Sequence, residues 1–236
     1  MPLNVLKSLA DVDASRRELR RMRVSCVSSS PIRFLRRIGL FKGVELGDHI
    51  KSWDVLQTTR FIQDHLHFDA PILDIGAYAS EILCVLYRLG YRNLTGVDLN
   101  PDINRMPNAD IIRYEVSDFM ATPFSDGSFA AITATSVIEH GFQCNRFLQE
   151  ISRLLLPGGH FLASVDYWPE KLDTSGIRLF GMDWTIFSRE EIIALIKQAG
   201  QYRFRCPEPI ETDTTQPVIK GGGKEYTFAW LALTKT

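Results

Sequence analysis

A short apolar segment that ends beside a glycine is the feature that most constrains the fold of this chain. Residues 72–75 read Ile-Leu-Asp-Ile and predict a buried strand, and Gly76 follows directly. A glycine there permits the left-handed backbone or close approach of a tight turn. The Ser80 hydroxyl suits a helix N-cap, and apolar residues at helical spacing fill residues 82–89 before Gly90. The helix N-terminus that follows this turn suits an anionic group of a ligand.

A second strand with an acidic end follows this unit. Residues 91–100 predict a short strand that ends at Asp98, about twenty residues past Gly76. In β-α-β nucleotide-binding folds, an acidic residue at this place hydrogen-bonds a ribose hydroxyl pair. Asp74 and Asp98 would then lie at the carboxyl ends of adjacent parallel strands, over the crevice where open α/β sheets bind ligands.

Later segments complete an ordered set of motifs. After residues 72–80 come Gly96-Val97-Asp98, Ser117-Asp118-Phe119, residues 122–130, Ser136-Val137-Ile138-Glu139-His140 and residues 155–159. In this order and spacing, residues 50–236 resemble the class I S-adenosylmethionine (SAM)-dependent methyltransferases of the small-molecule methyltransferase-domain type. One departure stands out, because the family usually has glycine at the places of Tyr78 and Ser80.

The resemblance implies a fold and a reaction. The expected fold is α/β and Rossmann-like, with a seven-stranded, mostly parallel sheet, a C-terminal antiparallel hairpin and helices on both faces. Residues 1–48 would form a basic N-terminal extension and residues 49–236 the methyltransferase domain. SAM would be the cofactor, and the acceptor would be a small molecule that offers an oxygen, nitrogen or carbon nucleophile.

The resemblance also implies which residues bind the cofactor. Asp98 would hold the ribose hydroxyls, and Asp118 would accept a hydrogen bond from the adenine amino group beside Phe119. The turn at Gly76 would pass close to the methionine moiety, with Asp74 near its ammonium group. The full predicted set is Asp74, Gly76, Tyr78, Asp98, Leu99, Asp118, Phe119 and Ser136.

One residue is a candidate for catalysis. His140 follows the fourth predicted strand, and histidine has an unperturbed pKa near neutrality, which suits a general base. The alternative is a histidine that only shapes the pocket, because methyl transfer depends mainly on alignment and on the electrophilic cofactor. Aromatic walls for the acceptor are expected from Tyr167, Trp168 and Trp184, the last within a polar loop over residues 170–187.

The remaining predicted elements follow from local patterns. Strands are expected over residues 110–114, 129–133, 159–165, 201–206 and 226–235, and helices over residues 15–23, 49–68, 145–156 and 192–199. Ser188 and Glu191 form the pattern of a capping box at the start of the last helix.

Composition excludes some classes of function. The net charge of −1 gives no general reason to expect nucleic-acid binding, although residues 1–42 hold ten Lys/Arg against three Asp/Glu. That basic stretch is either a solvated face that covers the active-site mouth or a patch for a membrane surface or an acidic partner.

No apolar run approaches the ~20 residues of a membrane span, and no signal-peptide pattern begins the sequence. The four cysteines lack metal-binding spacing and are typical of a reduced, cytoplasmic protein without a metal site; the oligomeric state stays open.

Two other classes of function stay open. A catalytically silent relative could use the fold for binding or as a scaffold, which Tyr78 and Ser80 in the glycine turn would favour. A nicotinamide-dependent oxidoreductase shares the acidic strand end, but the chain has no G-x-G-x-x-G run after the first predicted strand of that unit.

Overall fold

A computed structural model describes residues 3–28, Ile38, Leu40, residues 43–141 and residues 143–236. The helices are α1 (Leu9–Arg21), α2 (Ser52–His65), α3 (Ile82–Leu89), α4 (Cys144–Leu154) and α5 (Arg189–Gly200), with 3-10 helices at His49–Lys51 and Pro101–Arg105. The strands are β1 (Leu3–Val5), β2 (Ile72–Ile75), β3 (Leu94–Asp98), β4 (Arg113–Val116), β5 (Phe129–Thr135), β6 (Leu155–Tyr167), β7 (Arg178–Leu179), β8 (Met182–Asp183), β9 (Phe204–Arg205), β10 (Ile219–Gly221) and β11 (Lys224–Lys235).

One twisted sheet organises the described residues. Its seven principal strands follow the order β1-β11-β6-β5-β2-β3-β4, and β9 and β10 add short pairings to β11. The strands β2 to β6 are mutually parallel, whereas β11 runs antiparallel to β6 and β1. The predicted α/β, Rossmann-like fold with antiparallel C-terminal strands is therefore confirmed. From β2 the strand order proceeds to β3 and β4 on one side, and from β5 to β6 on the other. Ligands of such sheets bind where the strand order reverses, here outside the carboxyl ends of β2 and β5.

Apolar side chains fill both faces of the sheet. One cluster of buried residues joins α1, α2 and α3 to one face, and a second joins α4 and α5 to the other. This placement confirms helices on both faces. No helix in the described part of the chain is long and apolar enough to cross a membrane.

Local signals fix the unit around β2 and α3. The helix ends at Gly90, whose φ of 111° is left-handed and therefore suits glycine. The Ser80 hydroxyl accepts a hydrogen bond from the Ile82 backbone N–H at 3.2 Å, although Glu81 is the residue at the N-cap itself. The predicted cap is thus displaced by one residue, while its hydrogen bond is present. The capping box of Ser188 and Glu191 at the start of α5 is confirmed.

Several predicted boundaries were wrong. Helix α1 covers Leu9–Arg21 instead of residues 15–23, and β9 covers only Phe204–Arg205 instead of residues 201–206. The third parallel strand, β4, covers residues 113–116 instead of 110–114, because Asn108 turns the chain with a φ of 60° and its carbonyl accepts the N–H groups of Ile111 and Ile112. Strand β6 begins at Leu155, directly after α4, and not at Gly159. A register irregularity opposite Phe129 lets the strand pass through the Pro-Gly-Gly segment.

The N-terminal residues pack on the main sheet. Strand β1 pairs with β11, and α1 contacts α2. In α1, the basic residues Arg17, Arg20 and Arg21 are exposed, as a solvated basic face requires, but Arg16 is only 1% exposed. The proposed boundary between residues 48 and 49 therefore falls within a segment that contacts the domain on both sides.

Candidate active site

The glycine turn after β2 lies directly against the segment that follows β5. Gly76 has a φ of 68°, and a Cβ added there would lie 2.5 Å from Cγ2 of Val137. The next residue, Ala77, donates its N–H to the Val97 carbonyl of β3 at 3.1 Å. Glycine is therefore required twice at this position, for its backbone conformation and for the lack of a side chain. The turn brings the carboxyl ends of β2, β3 and β5 together.

The Asp98 carboxylate at the end of β3 faces this turn. Its Oδ2 accepts the backbone N–H of Tyr78 at 3.0 Å, and its Oδ1 accepts the N–H of Asn100 at 2.8 Å. The predicted neighbours Tyr78 and Asp98 are thus in contact through the backbone. Each carboxylate oxygen keeps a second lone pair, so that Asp98 can still accept hydrogen bonds from a ligand. The following Leu99 is 56% exposed.

Asp74 lies buried below the turn. Its Oδ1 accepts a hydrogen bond from the Thr133 hydroxyl at 2.6 Å, whereas its Oδ2 has no partner at hydrogen-bond geometry within the described residues. Burial raises the pKa of Asp74 to about 7, despite the nearby hydroxyls of Thr133 and Ser80, which favour the ionised form. A carboxylate in this state is positioned to gain from a cationic ligand.

The third acidic strand end is more open. Asp118 accepts the N–H of Met120 at 2.9 Å and lies 3.4 Å from the Arg146 guanidinium. The neighbouring Phe119 packs edge-on against Phe147, with ring centroids 5.8 Å apart. Asp118 is therefore held at the rim of the sheet by its own loop, and Phe119 is turned towards the apolar layer around α4.

The described residues that precede α2, which we call the N-terminal arm, contact the far side of the glycine turn. Gly47 donates its N–H to the Ala79 carbonyl at 2.7 Å. The Glu81 carboxylate accepts hydrogen bonds from both terminal nitrogens of the Arg16 guanidinium. Sequence reasoning missed this contact. The signal was present in α1, where Val12, Arg16 and Leu19 share one helix face.

The segment after β5 carries the catalytic candidate. Ser136 has a φ of 52°, and its hydroxyl accepts a hydrogen bond from the Lys51 ammonium. Burial lowers the pKa of His140, which favours the neutral imidazole, and its Nδ1 has no hydrogen-bond partner in the described part of the molecule. A neutral imidazole can accept a proton, so the geometry is compatible with the predicted base.

A group of buried acids adjoins Ser136 and was not predicted from the sequence. It consists of Asp54 on α2, Glu139 after β5 and Asp166 near the end of β6, arranged around Lys51; we call it the carboxylate cluster. The three acids are 0%, 1% and 5% exposed, respectively. Lys51 Nζ lies 3.9 Å from Asp54 Oδ2 and 3.8 Å from Asp166 Oδ1. Because its members come from distant segments of the chain, no local sequence motif predicts the cluster.

Of the three aromatic residues predicted to line the acceptor site, one lies at the carboxylate cluster and two lie in the apolar layers of the sheet. Trp184 is buried and donates its indole N–H to Asp166 Oδ2 at 2.8 Å, so it lines the carboxylate cluster. Tyr167 is also buried, but its hydroxyl donates to the Thr212 carbonyl at 2.7 Å, and its ring belongs to the apolar layer around α4 and α5. Tyr167 is therefore a core residue and not a wall of the acceptor site. Trp168 packs at the edge of the opposite apolar layer.

The residues at the turn fit the cofactor that the sequence implies. Gly76 leaves room beside Val137, and Asp98 presents a carboxylate at the adjacent strand end. Among the described residues, none donates a hydrogen bond of normal geometry to the buried Asp74 Oδ2. SAM carries ribose hydroxyls and positive charge on its ammonium and sulfonium groups, which are the partners that such carboxylates accept.

Comparison with protein families gives a match at this unit. The family model described as "Methyltransferase domain" matches residues 73–163, which include the glycine turn, Asp98, Asp118 and His140. Among curated proteins, the human EEF1A lysine methyltransferase 2 is 28% identical over 150 residues. This match covers 54% of the chain and 62% of the relative, so that the chain spans less than two thirds of the length of that protein.

Solved structures share the fold at low sequence identity. A SAM-dependent methyltransferase from Methanosarcina mazei is 18% identical, with a TM-score of 0.57 over 74% of this chain and 96% of the other. The geranyl diphosphate C-methyltransferase from Streptomyces coelicolor A3(2) is 18% identical, with a TM-score of 0.57 over 89% and 100%. The [4+2]-cyclase SpnF is 14% identical, with a TM-score of 0.57 over 99% and 98%. These likenesses establish the fold.

Proposed function

Because the family model described as "Methyltransferase domain" matches residues 73–163, we propose that the chain is a class I SAM-dependent methyltransferase that transfers a methyl group from SAM to a small-molecule acceptor. The observation that carries this proposal is the contact between Asp98 and the glycine turn. Asp98 lies against the Tyr78 N–H at 3.0 Å, and Gly76 allows no Cβ. This arrangement supports an adenosine held at one strand end whose amino-acid tail passes over the turn.

Each predicted residue has a distinct role in this proposal. Asp98 accepts hydrogen bonds from the ribose hydroxyls, and Leu99 contributes exposed apolar surface beside it. Asp118 accepts from the adenine amino group near Phe119. Asp74 attracts the ammonium group of the methionine moiety from below the turn. Tyr78 and Ser136 flank the position of that moiety. The cofactor supplies the electrophilic methyl group, and the protein supplies binding, alignment and exclusion of water.

His140 is proposed as the proton acceptor. Its lowered pKa keeps the imidazole neutral near pH 7, and a neutral imidazole can take a proton from the acceptor atom. A pocket-shaping histidine would retain activity when replaced by a side chain of similar size. His140→Gln separates the two roles, because a base is needed for the rate constant kcat, whereas shape affects mainly the KM of the acceptor.

The acceptor is proposed to enter the cleft as a small molecule. The carboxylate cluster beside Ser136 is buried, which supports an acceptor that reaches it with one narrow group. The curated relative is named for a lysine acceptor on a protein, so that a protein side chain is the competing possibility. A screen of small nucleophiles and of lysine-containing peptides, read as S-adenosylhomocysteine released, distinguishes these acceptors.

A catalytically silent protein is the alternative, and the glycine turn favours it. Tyr78 and Ser80 stand where the family usually has glycine, and Tyr78 packs partly buried against the apolar layer around α3. The likeness to a protein named as a cyclase also illustrates that one fold serves different chemistries. This alternative predicts no binding of SAM, since Tyr78 would occupy the methionine place.

Calorimetry tests the proposal directly. SAM and S-adenosylhomocysteine should bind the wild-type protein, and Asp98→Ala should weaken binding at least tenfold, because about 1.5–3 kcal/mol is typical of hydrogen bonds to a charged group. Asp102→Ala is the matched control, since Asp102 is exposed in the next turn and should leave binding unchanged. Absence of heat at high micromolar ligand would favour the silent alternative.

A further inference from the structure

Within the described residues, the carboxylate cluster places three carboxyl groups around one cation, the Lys51 ammonium. Asp54, Glu139 and Asp166 are each at least nine-tenths buried, and they surround only the ammonium group of Lys51. At 3.8 and 3.9 Å, the separations from Asp166 and Asp54 exceed hydrogen-bond length. Buried charges are normally paired and hydrogen-bonded, so that this arrangement leaves room for a further or better-placed cation.

Within the described residues, several carboxylate oxygens of the cluster accept no hydrogen bond of normal geometry. Ser164 donates its hydroxyl to Asp54 Oδ2 at 2.9 Å, and Trp184 donates its indole N–H to Asp166 Oδ2 at 2.8 Å. These two bonds fix the orientation of the carboxylates. By contrast, Asp54 Oδ1 and both oxygens of Glu139 accept no hydrogen bond of normal geometry within the described residues. Burial, followed by the nearby Asp166, raises the pKa of Glu139 well above its usual value, as expected for excess negative charge.

Aromatic rings complete the surroundings of the Lys51 ammonium. Its nitrogen lies 3.4 Å from the ring centroid of Phe228, within the range of cation–π attraction. Burial raises the pKa of Tyr226, as do the carboxyls of Asp166 and Glu139 nearby, so this phenol also faces the cluster. Carboxylates beside an aromatic face suit an ammonium group. Across the described ranges, no three His, Cys, Asp or Glu side chains are arranged to hold a metal ion.

The cluster adjoins the proposed cofactor site. Lys51 donates a hydrogen bond to Ser136, and the next residue, Val137, closes against Gly76. The Lys51 nitrogen is therefore linked through two consecutive residues to the glycine turn. Lys51 is also the member of the cluster with an exposed side chain, at 23%, against 0% for Asp54. Its side chain can therefore move towards solvent, whereas the acids cannot.

We propose that the acceptor of this protein is an amine that binds as a cation, its ammonium group taking the place of the Lys51 ammonium among Asp54, Glu139 and Asp166. Before transfer this group gives one proton to the neutral His140 imidazole. The freed nitrogen lone pair then bonds to the methyl carbon as the carbon–sulfur bond of SAM breaks and S-adenosylhomocysteine leaves. This inference rests on the proposed methyl transfer and specifies its substrate class. Lys51 then acts as an internal occupant that neutralises the cluster until the acceptor displaces it. A neutral alcohol of the same shape lacks the charge that the cluster selects.

A variant that empties the place tests the inference. Lys51→Met removes the ammonium and leaves an unbranched apolar side chain one heavy atom shorter, and n-butylammonium chloride is the probe. At about ten times its dissociation constant, the probe stabilises the folded state by about 1.4 kcal/mol and should raise the Tm of Lys51→Met by about 3–6 °C. It should raise the wild-type Tm less, since Lys51 competes for the place. Butan-1-ol, the neutral probe, should shift neither protein, and Lys220→Met, which changes an exposed lysine paired with Glu225, should behave as wild type.

A second substitution locates the bound probe. Adding Glu139→Gln to Lys51→Met should abolish the shift that n-butylammonium produces. A shift that persists in the double variant, or one that butan-1-ol also produces, would overturn the inference. The absence of any shift in Lys51→Met across a full titration with n-butylammonium chloride would also overturn it.

A labelling measurement on the wild-type protein covers the case in which Lys51→Met does not fold. N,N-dimethylbutylammonium, which forms no stable amide, should displace Lys51 and increase its acetylation by an active ester at least twofold, read by peptide mass spectrometry. Unchanged acetylation would contradict the inference. Calorimetry with S-adenosylhomocysteine separates the two proposals. Binding of that ligand without any effect of the amines rejects the amine acceptor alone. Amine effects without binding of that ligand reject the methyl transfer and leave the cluster as an amine-binding site only.

Discussion

Arg16 and Glu81 form an ion pair that is almost completely shielded from solvent. The guanidinium donates to both carboxylate oxygens, at 3.0 and 2.5 Å, and each side chain is 1% exposed. Arg16 also donates to the Ser52 hydroxyl at 2.8 Å, and Glu81 accepts the backbone N–H of Cys26 at 3.1 Å. Through Glu81, the N-terminal arm is thus joined to the residue that precedes α3 and follows the glycine turn.

Replacement of Arg16 should destabilise the protein strongly. Arg16→Met leaves the Glu81 carboxylate buried without its cation, and breaking a buried pair in this way costs about 3–5 kcal/mol. We expect that decrease in the free energy of unfolding, measured by urea denaturation. The double variant Arg16→Met/Glu81→Gln should recover part of it, because no charge is then left unpaired.

The matched control for this pair lies on the same helix. Arg21→Met removes the exposed pair of Arg21 with Glu18, three positions apart, and should change the free energy of unfolding by less than about 1 kcal/mol. If Arg16→Met proves as mild as Arg21→Met, the ion pair does not anchor the arm.

Alanine at position 76 should disrupt the glycine turn. Gly76→Ala combines a left-handed φ of 68° with a Cβ only 2.5 Å from Val137 Cγ2. We expect a decrease of about 2–6 kcal/mol in the free energy of unfolding, given that a strained backbone costs about 1–3 kcal/mol and overpacking about 1–3 kcal/mol. Calorimetry should also show weaker binding of S-adenosylhomocysteine.

Two further variants separate the causes. Gly181→Ala has a similar φ of 79° and nothing within 4 Å of the added Cβ, so it reports the backbone strain alone. Val137→Ala in the Gly76→Ala background removes the clash and should restore about 1 kcal/mol or more of that loss. Equal effects of Gly76→Ala and Gly181→Ala would show that the contact with Val137 is unimportant.

Asp74 should make stability depend on pH below neutrality. Its folded pKa is raised to about 7 from an ordinary value of 3.8, with burial as the main cause. The folded protein therefore holds this proton over a range in which the unfolded chain has lost it. The contribution of the neutral carboxyl is complete below pH ~4 and is lost as pH rises through ~7.

The measurement compares two pH profiles of the free energy of unfolding. Asp74→Asn cannot ionise, so its profile should fall less steeply than that of wild type between pH ~4 and ~7. Thr133→Val removes the hydroxyl that donates to Asp74 and favours its ionised form, so its profile should continue to fall above pH 7. Asp54, whose pKa burial raises to about 6, contributes equally to all three profiles. Parallel profiles for wild type and Asp74→Asn would show that Asp74 is ionised throughout.

The parts of the fold that are determined by residues close together in the sequence could be predicted from the sequence. Strand β2, the glycine turn and the end of α3 at Gly90 rest on short-range signals, and each is present. The same holds for the capping box at Ser188. The approach of Asp98 to the turn followed from the alternation of strand and helix, which places successive parallel strands side by side.

The carboxylate cluster and the buried pair could not be predicted in this way. Lys51 and Ser136 are 85 positions apart, and Arg16 and Glu81 are 65 apart. Each residue looks ordinary within its own segment: Arg16 is one of several arginines in a basic helix, and Asp54 is an acid in the first turn of α2. Only the packing of α1 and α2 on the sheet removes them from water and makes their charges matter.

The pairing of β1 with β11 has a consequence for the order of assembly. The Thr227 hydroxyl donates to the Leu6 carbonyl, 221 positions earlier in the chain, and Leu3–Val5 pairs with residues 229–231. During synthesis the early segment emerges long before its partner exists, and contacts between such distant segments form slowly. We therefore expect the edge of the sheet at β1 to form only after β11 has been synthesised, and β1 to lack its partner strand until then.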